Sequence, residues 1–273
     1  MAQMLRFIFR GIKFLWRINI AKTLYLNFCG LPFRQAVRLP IHVYGKCVVH
    51  SLNGQIVINA PTVSSGMIRI GYRWWDLFLE SYLPTQLSIN GSLIFHGPAS
   101  VSGGVALFVN DNAQLSLGSN CTIGGGSQID CQLGIQLLDS VRITGNCLIC
   151  DSDGGYIKDI ESGRVESPYG RIVIGRNSWL NYGTIITKGV SLPDYSITAR
   201  HAVIDKGQEL LDNNRFYVGN PAKITPPHLQ RIISRVKEIE YNNYFHEHAD
   251  TDDLCLLPGL EDEDNNPFKA NRK

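Results

Sequence analysis

The sequence predicts an all-β solenoid of triangular cross-section, and three observations carry that reading. Apolar residues recur every six positions in two long runs, small or polar residues follow many of them, and a helical period is nearly absent between residues 41 and 226. Leu117, Ile123, Ile129, Ile135, Val141 and Cys147 are spaced by six without a slip, and Gly118, Gly124 and Asp130 follow the first three. A second run holds Ile174, Leu180, Ile186 and Leu192, then Ile197 and Val203 after a one-residue slip near Pro193. Weaker phases precede both, in Ile89, Phe95, Val101 and Leu107. Six fits neither a helix, at about 3.6 residues per turn, nor a plain alternating strand. It suits a coil whose sides are each one short strand plus one tight turn, with the apolar residue pointing inward. Gly, Asn and Asp then serve the corners, whose backbone angles bulky residues avoid.

Along the chain, residues 1–40 read as an N-terminal basic amphipathic helical segment. Leu5, Ile8, Phe9, Ile12, Leu15 and Trp16 share one helical face, and Arg6, Arg10, Lys13 and Arg17 line the other, over residues 4–20. Two readings stand: an interfacial helix on a membrane surface, or a helix whose apolar face packs on the protein or a neighbouring subunit. Residues 41–225 form the solenoid, broken at 151–170 by DSDGGYIKDIESGRVESPYG, a stretch rich in Gly, Ser and charge that reads as a loop thrown outward. Residues 226–273 hold a helix expected from about His228 to Tyr241, then an acidic tail expected to be loosely attached.

The net charge of +2 conceals an asymmetry. Ten cations from Arg6 to Arg73 precede Asp76, which is the first acidic residue, while acid gathers in Asp250, Asp252, Asp253 and the run from Glu261 to Asp264. A basic front points to an anionic partner at the N-terminus, such as a membrane surface, and away from a nucleic-acid groove. Seven scattered cysteines fit a reducing compartment. Cys147 and Cys150 make a lone CxxC without a second pair or a His cluster, so no metal is expected. No secretory signal is visible, since Arg or Lys breaks the apolar residues between Leu5 and Ile20, and no stretch is long and apolar enough to span a bilayer.

The hexapeptide runs, the DSDGG loop, IVIGRNSWLNYGTIITKGV at 172–190 and GNPAKIT at 219–225 together resemble the hexapeptide-repeat acyltransferase family, and within it the O-acetyltransferases of bacterial polysaccharide biosynthesis. The likeness extends through LPFRQAVRLPI at 31–41 and GMIRIGYR at 66–73. It implies a left-handed parallel β-helix, a homotrimer with sites in the clefts between prisms, acetyl-CoA as acyl donor, and a sugar or lipid-linked glycan as acceptor. It also implies a cytoplasmic protein, peripheral at the inner face of the membrane, serving capsule or lipopolysaccharide synthesis.

In the family a His acts as general base within a D-x-D-x-H loop. Here the loop reads Asp151, Ser152, Asp153, Gly154, Gly155, so Gly155 stands where the His is expected. A general base contributes about 10²- to 10⁴-fold, so its loss bears on rate and not on fold. His201 and His96 are the alternative imidazoles. Asp151 and Asp153 keep the family positions, either for chemistry or for bonding the backbone of their own loop. Trp179 and Tyr182 are candidates to wall the pantetheine slot, with core or trimer packing as the alternative for Trp179. Lys188, Arg200, Lys206 and Lys223 are candidates for the CoA phosphates, against plain solvated surface. Trp74 and Trp75, beside Tyr72 and Phe78, form an aromatic patch for sugar stacking or for packing. Two further functions remain open: a non-catalytic trimeric scaffold or binding relative, and an N-acyltransferase acting on an amino sugar.

Overall fold

The structure, a computed structural model, describes residues 18–73, 82–207, 212–226 and 228–248. The predicted amphipathic helix at 4–20 and the tryptophan patch at 74–75 thus fall almost wholly outside the described residues. The chain divides into two units, one ending at Gln230 and the other beginning at Arg231.

The first unit is the expected solenoid. Its strands fall into three parallel faces, and each strand's neighbours lie one coil earlier and one coil later in the chain. Face one runs from Ile41–Val43 through Cys121–Ile123 and Trp179–Leu180 to Phe216–Gly219; face two runs from Cys47–Leu52 to Val203–Ile204; face three runs from Gln55–Ile58 to Ser191–Leu192. Parallel neighbours require long crossovers, and here the other two sides of the triangle are the crossover. Ile174 pairs with Leu192 and Ile186 with Ile204, one coil of three six-residue sides apart. All six residues of the first run are buried, as are Phe95, Val101 and Leu107 before them. Each such side chain contributes roughly 1.5–3 kcal/mol when fully withdrawn from water.

Two details of the six-residue reading are corrected. No slip occurs near Pro193. Ile197 pairs with Trp179 and Val203 with Ile185, whereas the inward positions belong to Thr198 and Ile204, both fully buried. Hydrophobicity misleads there because Thr198 is a satisfied buried hydroxyl, 2.6 Å from Thr184 Oγ1 and accepting the Asn181 N–H at 2.9 Å. The first run also conceals an insertion. Leu117 pairs with Leu137 and Ile129 with Ile149, so this coil is two residues longer than the later ones. The spacing survives because each side has two inward positions two residues apart, and the run passes from one to the other at the corner after Cys131.

Face one is finished differently at its two ends. At the start, α1 (Ile20–Gly30) lies against the free edge of Ile41–Val43. Asn19 caps it by accepting the Lys22 N–H at 3.1 Å. The buried Asn27 amide then imitates a neighbouring strand, donating to Ile41 O at 2.7 Å and accepting Ile41 N–H at 3.1 Å, while Thr23 Oγ1 accepts Val43 N–H at 3.0 Å. These side chains satisfy an edge that would otherwise invite another strand. A one-turn helix, α2 (Phe33–Ala36), follows. At the far end Phe216–Gly219 folds back on Ala222–Thr225 in the one antiparallel pair among the named strands.

In the second unit, α3 spans Arg235–Glu247, later than the helix expected from His228. Its start is fixed by Ser234, whose hydroxyl accepts the Lys237 N–H. Among the described residues no helix is long and apolar enough to cross a membrane.

Candidate functional site

The corner between faces two and three is where the coil opens into the arm at 151–170. Asp151 ends the strand Leu148–Cys150, and its carboxylate is completely buried. It accepts three successive backbone N–H groups from the corner one coil below: Gln132 at 2.6 Å, Leu133 at 2.9 Å and Gly134 at 2.5 Å. This is the two-residue insertion found above, and the carboxylate satisfies donors that the extra length left unpaired. Asp151 also closes the arm, since its carbonyl accepts the Gly170 N–H at 2.9 Å. Both carboxylate oxygens of Asp151 are engaged with backbone, though with the corner one coil below and not with its own loop as expected.

The arm folds on itself. Ser152 bridges Tyr169 and Lys158 bridges Val165, both antiparallel, and the Asp153 N–H donates to Pro168 O at 2.9 Å. At its tip Asp159 accepts the Ser162 hydroxyl and the Glu161 N–H, which hold its carboxyl below the usual range. Lys188, from the following coil, pins both legs: its ammonium is ion-paired with Asp153 and donates to Ser167 O at 2.9 Å.

Between arm and coil lies a cleft of about 250 Å³ lined by Asp153, Gly155, Ile157, Lys158, Asp159, Glu166 and Lys188. Gly155 faces open space: a Cβ added there meets nothing within 4 Å, and its φ is ordinary, unlike that of Gly154 at +71°. A side chain at 155 is therefore sterically permitted. Of the three carboxylates in the cleft, Asp153 is paired with Lys188 and Asp159 is tied to Ser162, whereas Glu166 has no hydrogen bond or ion pair among the described residues. Sequence reasoning passed over Glu166 because nothing in a charged loop marks which residue turns back toward position 155; the pairing of Lys158 with Val165 decides it.

The other candidates are placed elsewhere. His201 sits at the corner between faces one and two, in a left-handed conformation with φ 58°, its N–H donating to Tyr182 O at 2.9 Å. Its ring meets the edge of Tyr182 at 5.7 Å, and Tyr182 accepts the Asn146 amide through its hydroxyl. On face one, Trp179 donates from Nε1 to Thr144 Oγ1 at 2.8 Å, with the Arg142 guanidinium 5.7 Å from its ring. His96 follows face three and lies 3.0 Å from Ser116 Oγ through Nε2. The three candidate positions His201, Gly155 and His96 thus occupy three different edges of the prism, and the fold brings neither imidazole into the cleft. Nor do the cations converge. Lys188 belongs to the arm, the Lys206 stem covers Gly189 on the next coil, Arg200 adjoins His201, and Lys223 is exposed in the terminal hairpin.

The CxxC is divided by the pleat, with Cys147 buried and Cys150 part-exposed. Burial raises the Cys147 thiol and pushes those of Cys121 and Cys131 up to about 12, so these cysteines are protonated packing groups. Among the described residues no three His, Cys, Asp or Glu side chains gather as a metal set.

Three parallel faces, six-residue sides and an extruded arm define the class as a three-sided β-helix with an arm-lined cleft. Neither the protein-family models nor the curated proteins provide a match. Among solved structures, the polySia-specific acetyltransferase NeuO is similar at a TM-score of 0.49 and 17% identity, over 80% of this chain and 91% of that one. The polysialic acid O-acetyltransferase OatWY is similar at 0.44 and 15%, over 73% and 100%. A mutant of AntD, an N-acyltransferase from Bacillus cereus, in complex with dTDP-4-amino-4,6-dideoxyglucose and coenzyme A, is similar at 0.42 and 13%, over 77% and 88%. At these values the likeness carries nothing about activity, and the solenoid rests on its own strand pairing.

Proposed function

We propose that the protein is an O-acyltransferase that moves an acetyl group from acetyl-CoA to a sugar hydroxyl of a capsule or lipopolysaccharide glycan, as a homotrimer. The observation that carries this reading is the arm-lined cleft. It sits at the D-S-D-G-G sequence, the place of the family loop, and it is a partly walled space with charged side chains in its lining, which suits an acceptor hydroxyl.

In the reaction the acceptor oxygen attacks the thioester carbonyl carbon, the carbon–sulfur bond breaks, CoA leaves as its thiol, and the hydroxyl proton must go to a base. With Gly155 in the place of an imidazole, Glu166 takes that role in this reading. A carboxylate is a weaker base than imidazole, so its share falls at the low end of what a general base supplies, on the order of 10- to 100-fold. Lys188 and Asp153 hold the arm against the coil and so set the width of the cleft. Asp151 keeps the arm's base in register. In the homotrimer of this reading the donor runs along the edge between faces one and two of the neighbouring prism, by Trp179, Tyr182, Arg200 and His201, and meets the cleft across the subunit boundary.

Purified full-length protein is incubated with acetyl-CoA and candidate capsule or lipopolysaccharide oligosaccharides, with thiol release and glycan mass as readouts. Saturable acetyl-CoA binding with transfer is expected, and Glu166→Gln should lower kcat by about tenfold with KM little changed. Absence of acetyl-CoA binding sinks the reading. Binding without turnover favours the second reading, a non-catalytic scaffold, which the missing imidazole at Gly155 supports.

A further inference from the structure

The outer face of the N-terminal cap is apolar where a surface helix is ordinarily polar. In α1 the inward face is Thr23, Leu26 and Asn27. Outward, Ile20, Leu24 and Phe28 recur every four residues and form one stripe, and all three are exposed, Ile20 by 68%. Phe33, 74% exposed, and Val37 continue the surface past the turn, and the Phe28 and Phe33 rings lie 6.4 Å apart. The patch is rimmed by cations: Lys22, whose ammonium stands 5.6 Å from the Tyr25 ring, with Arg34 and Arg38. No acidic residue occurs in the sequence before Asp76.

We infer that this patch is a docking surface for an anionic lipid bilayer, with Ile20, Leu24, Phe28 and Phe33 entering the headgroup boundary and Lys22, Arg34 and Arg38 meeting lipid phosphates. Charge selects this occupant over the two nearest alternatives. A second copy docking the same face on itself would set these cations against their equivalents with no acid between them, and like charges across an interface oppose association. The preceding residues 1–17 carry Arg6, Arg10, Lys13 and Arg17 and no acid, so laying them over the patch adds cations to cations. An anionic surface offers both an apolar medium for the stripe and counter-charge for the rim, and the two contributions add. The inference is independent of the proposed chemistry.

The test is flotation of the full-length protein with vesicles of phosphatidylcholine containing phosphatidylglycerol, against phosphatidylcholine alone. Wild type should float with the anionic vesicles, and less so as salt rises. The variant Ile20→Ser/Phe28→Ser/Phe33→Ser, all at exposed positions, should keep its thermal midpoint and lose binding by about tenfold or more. Lys22→Gln/Arg34→Gln/Arg38→Gln should lose preference for the anionic lipid, by about fivefold per charge. Transfer to a soluble acceptor should be unchanged in both, which separates this outcome from failure of the acyltransferase reading. If the serine variant floats as wild type does, the patch is not the docking surface. If instead its mass by light scattering drops while flotation is unchanged, a second copy covers the patch and the inference is overturned.

Discussion

Two of the insertions in the six-residue coil lie at the same corner, between faces two and three on successive coils, and the protein treats them in opposite ways. At Gln132–Leu133 the coil is two residues too long, and the surplus is drawn inward, its N–H groups meeting the buried Asp151 carboxylate. At 151–170 the surplus is a whole arm, which leaves the solenoid and bonds to itself, with Tyr156, Ile157 and Ile160 exposed, the last by 91%. The difference teaches what a solenoid tolerates. Here the short surplus turns backbone N–H groups toward the core and meets a dedicated acceptor, whereas the long one satisfies its own backbone and costs the core little. Asp151 serves both, and the cleft exists because they meet at one corner.

The contrast is broken most severely at Asp151. Asp151→Ala should cost about 3–5 kcal/mol, because several donors bonded to a charged acceptor lose it together. Urea denaturation measures this, and a loss below about 1 kcal/mol would mean that the corner does not depend on the carboxylate. The same corner carries a pH signature through Cys131. Burial first, and the Asp151 charge second, raise its thiol from 9.0 to about 12. In the unfolded chain the thiol ionises above about 9 while in the fold it stays protonated. Its stabilisation is therefore complete below pH 9 and is lost as pH rises toward 12. Stability measured from pH 8 to 10.5 should fall, and less steeply in Cys131→Ala, by roughly 1.4 kcal/mol per pH unit above the unfolded value; parallel slopes would contradict this.

The arm should answer to chemistry more than to stability. Gly155→His should leave the melting midpoint within a degree or so of wild type, because the added side chain meets open space. It should raise acetyl transfer at least tenfold, about 1.4 kcal/mol, if the cleft receives the acceptor. Unchanged transfer in a protein that binds acetyl-CoA counts against that cleft. The smallest effect is expected at Lys188. Its pair with Asp153 is only partly sheltered, at 14% and 34% side-chain exposure, so Lys188→Ala should cost about 0.2–1 kcal/mol globally. Amide exchange in the arm should nevertheless quicken while that of the coils stays fixed; equal protection in both proteins would show that the arm holds itself.

Periodicity made the solenoid legible before any coordinate, because an inward apolar residue on every side is what closes a triangular core. The same signal erred where chemistry replaced hydrophobicity. Thr198 is inward because a hydroxyl can be satisfied within the corner, and Ile197 beside it looked the better candidate. It also concealed the two-residue insertion, since two inward positions on each side let a six-residue run slide between them.

For the site, the sequence alone determined the place of the arm, the absence of an imidazole at Gly155, and the identity of the candidate side chains. Tertiary structure decided which of them meet. Pairing across the arm turns Glu166 toward the cleft, and the coil places Lys188 against Asp153. The prism separates His201 and His96 onto other edges. Local sequence fixes what each corner can be, through turn-forming residues and inward apolar positions, and these are short-range. Which corners are neighbours depends on how many residues each coil contains, and that sum is settled only when distant backbone donors and acceptors find one another.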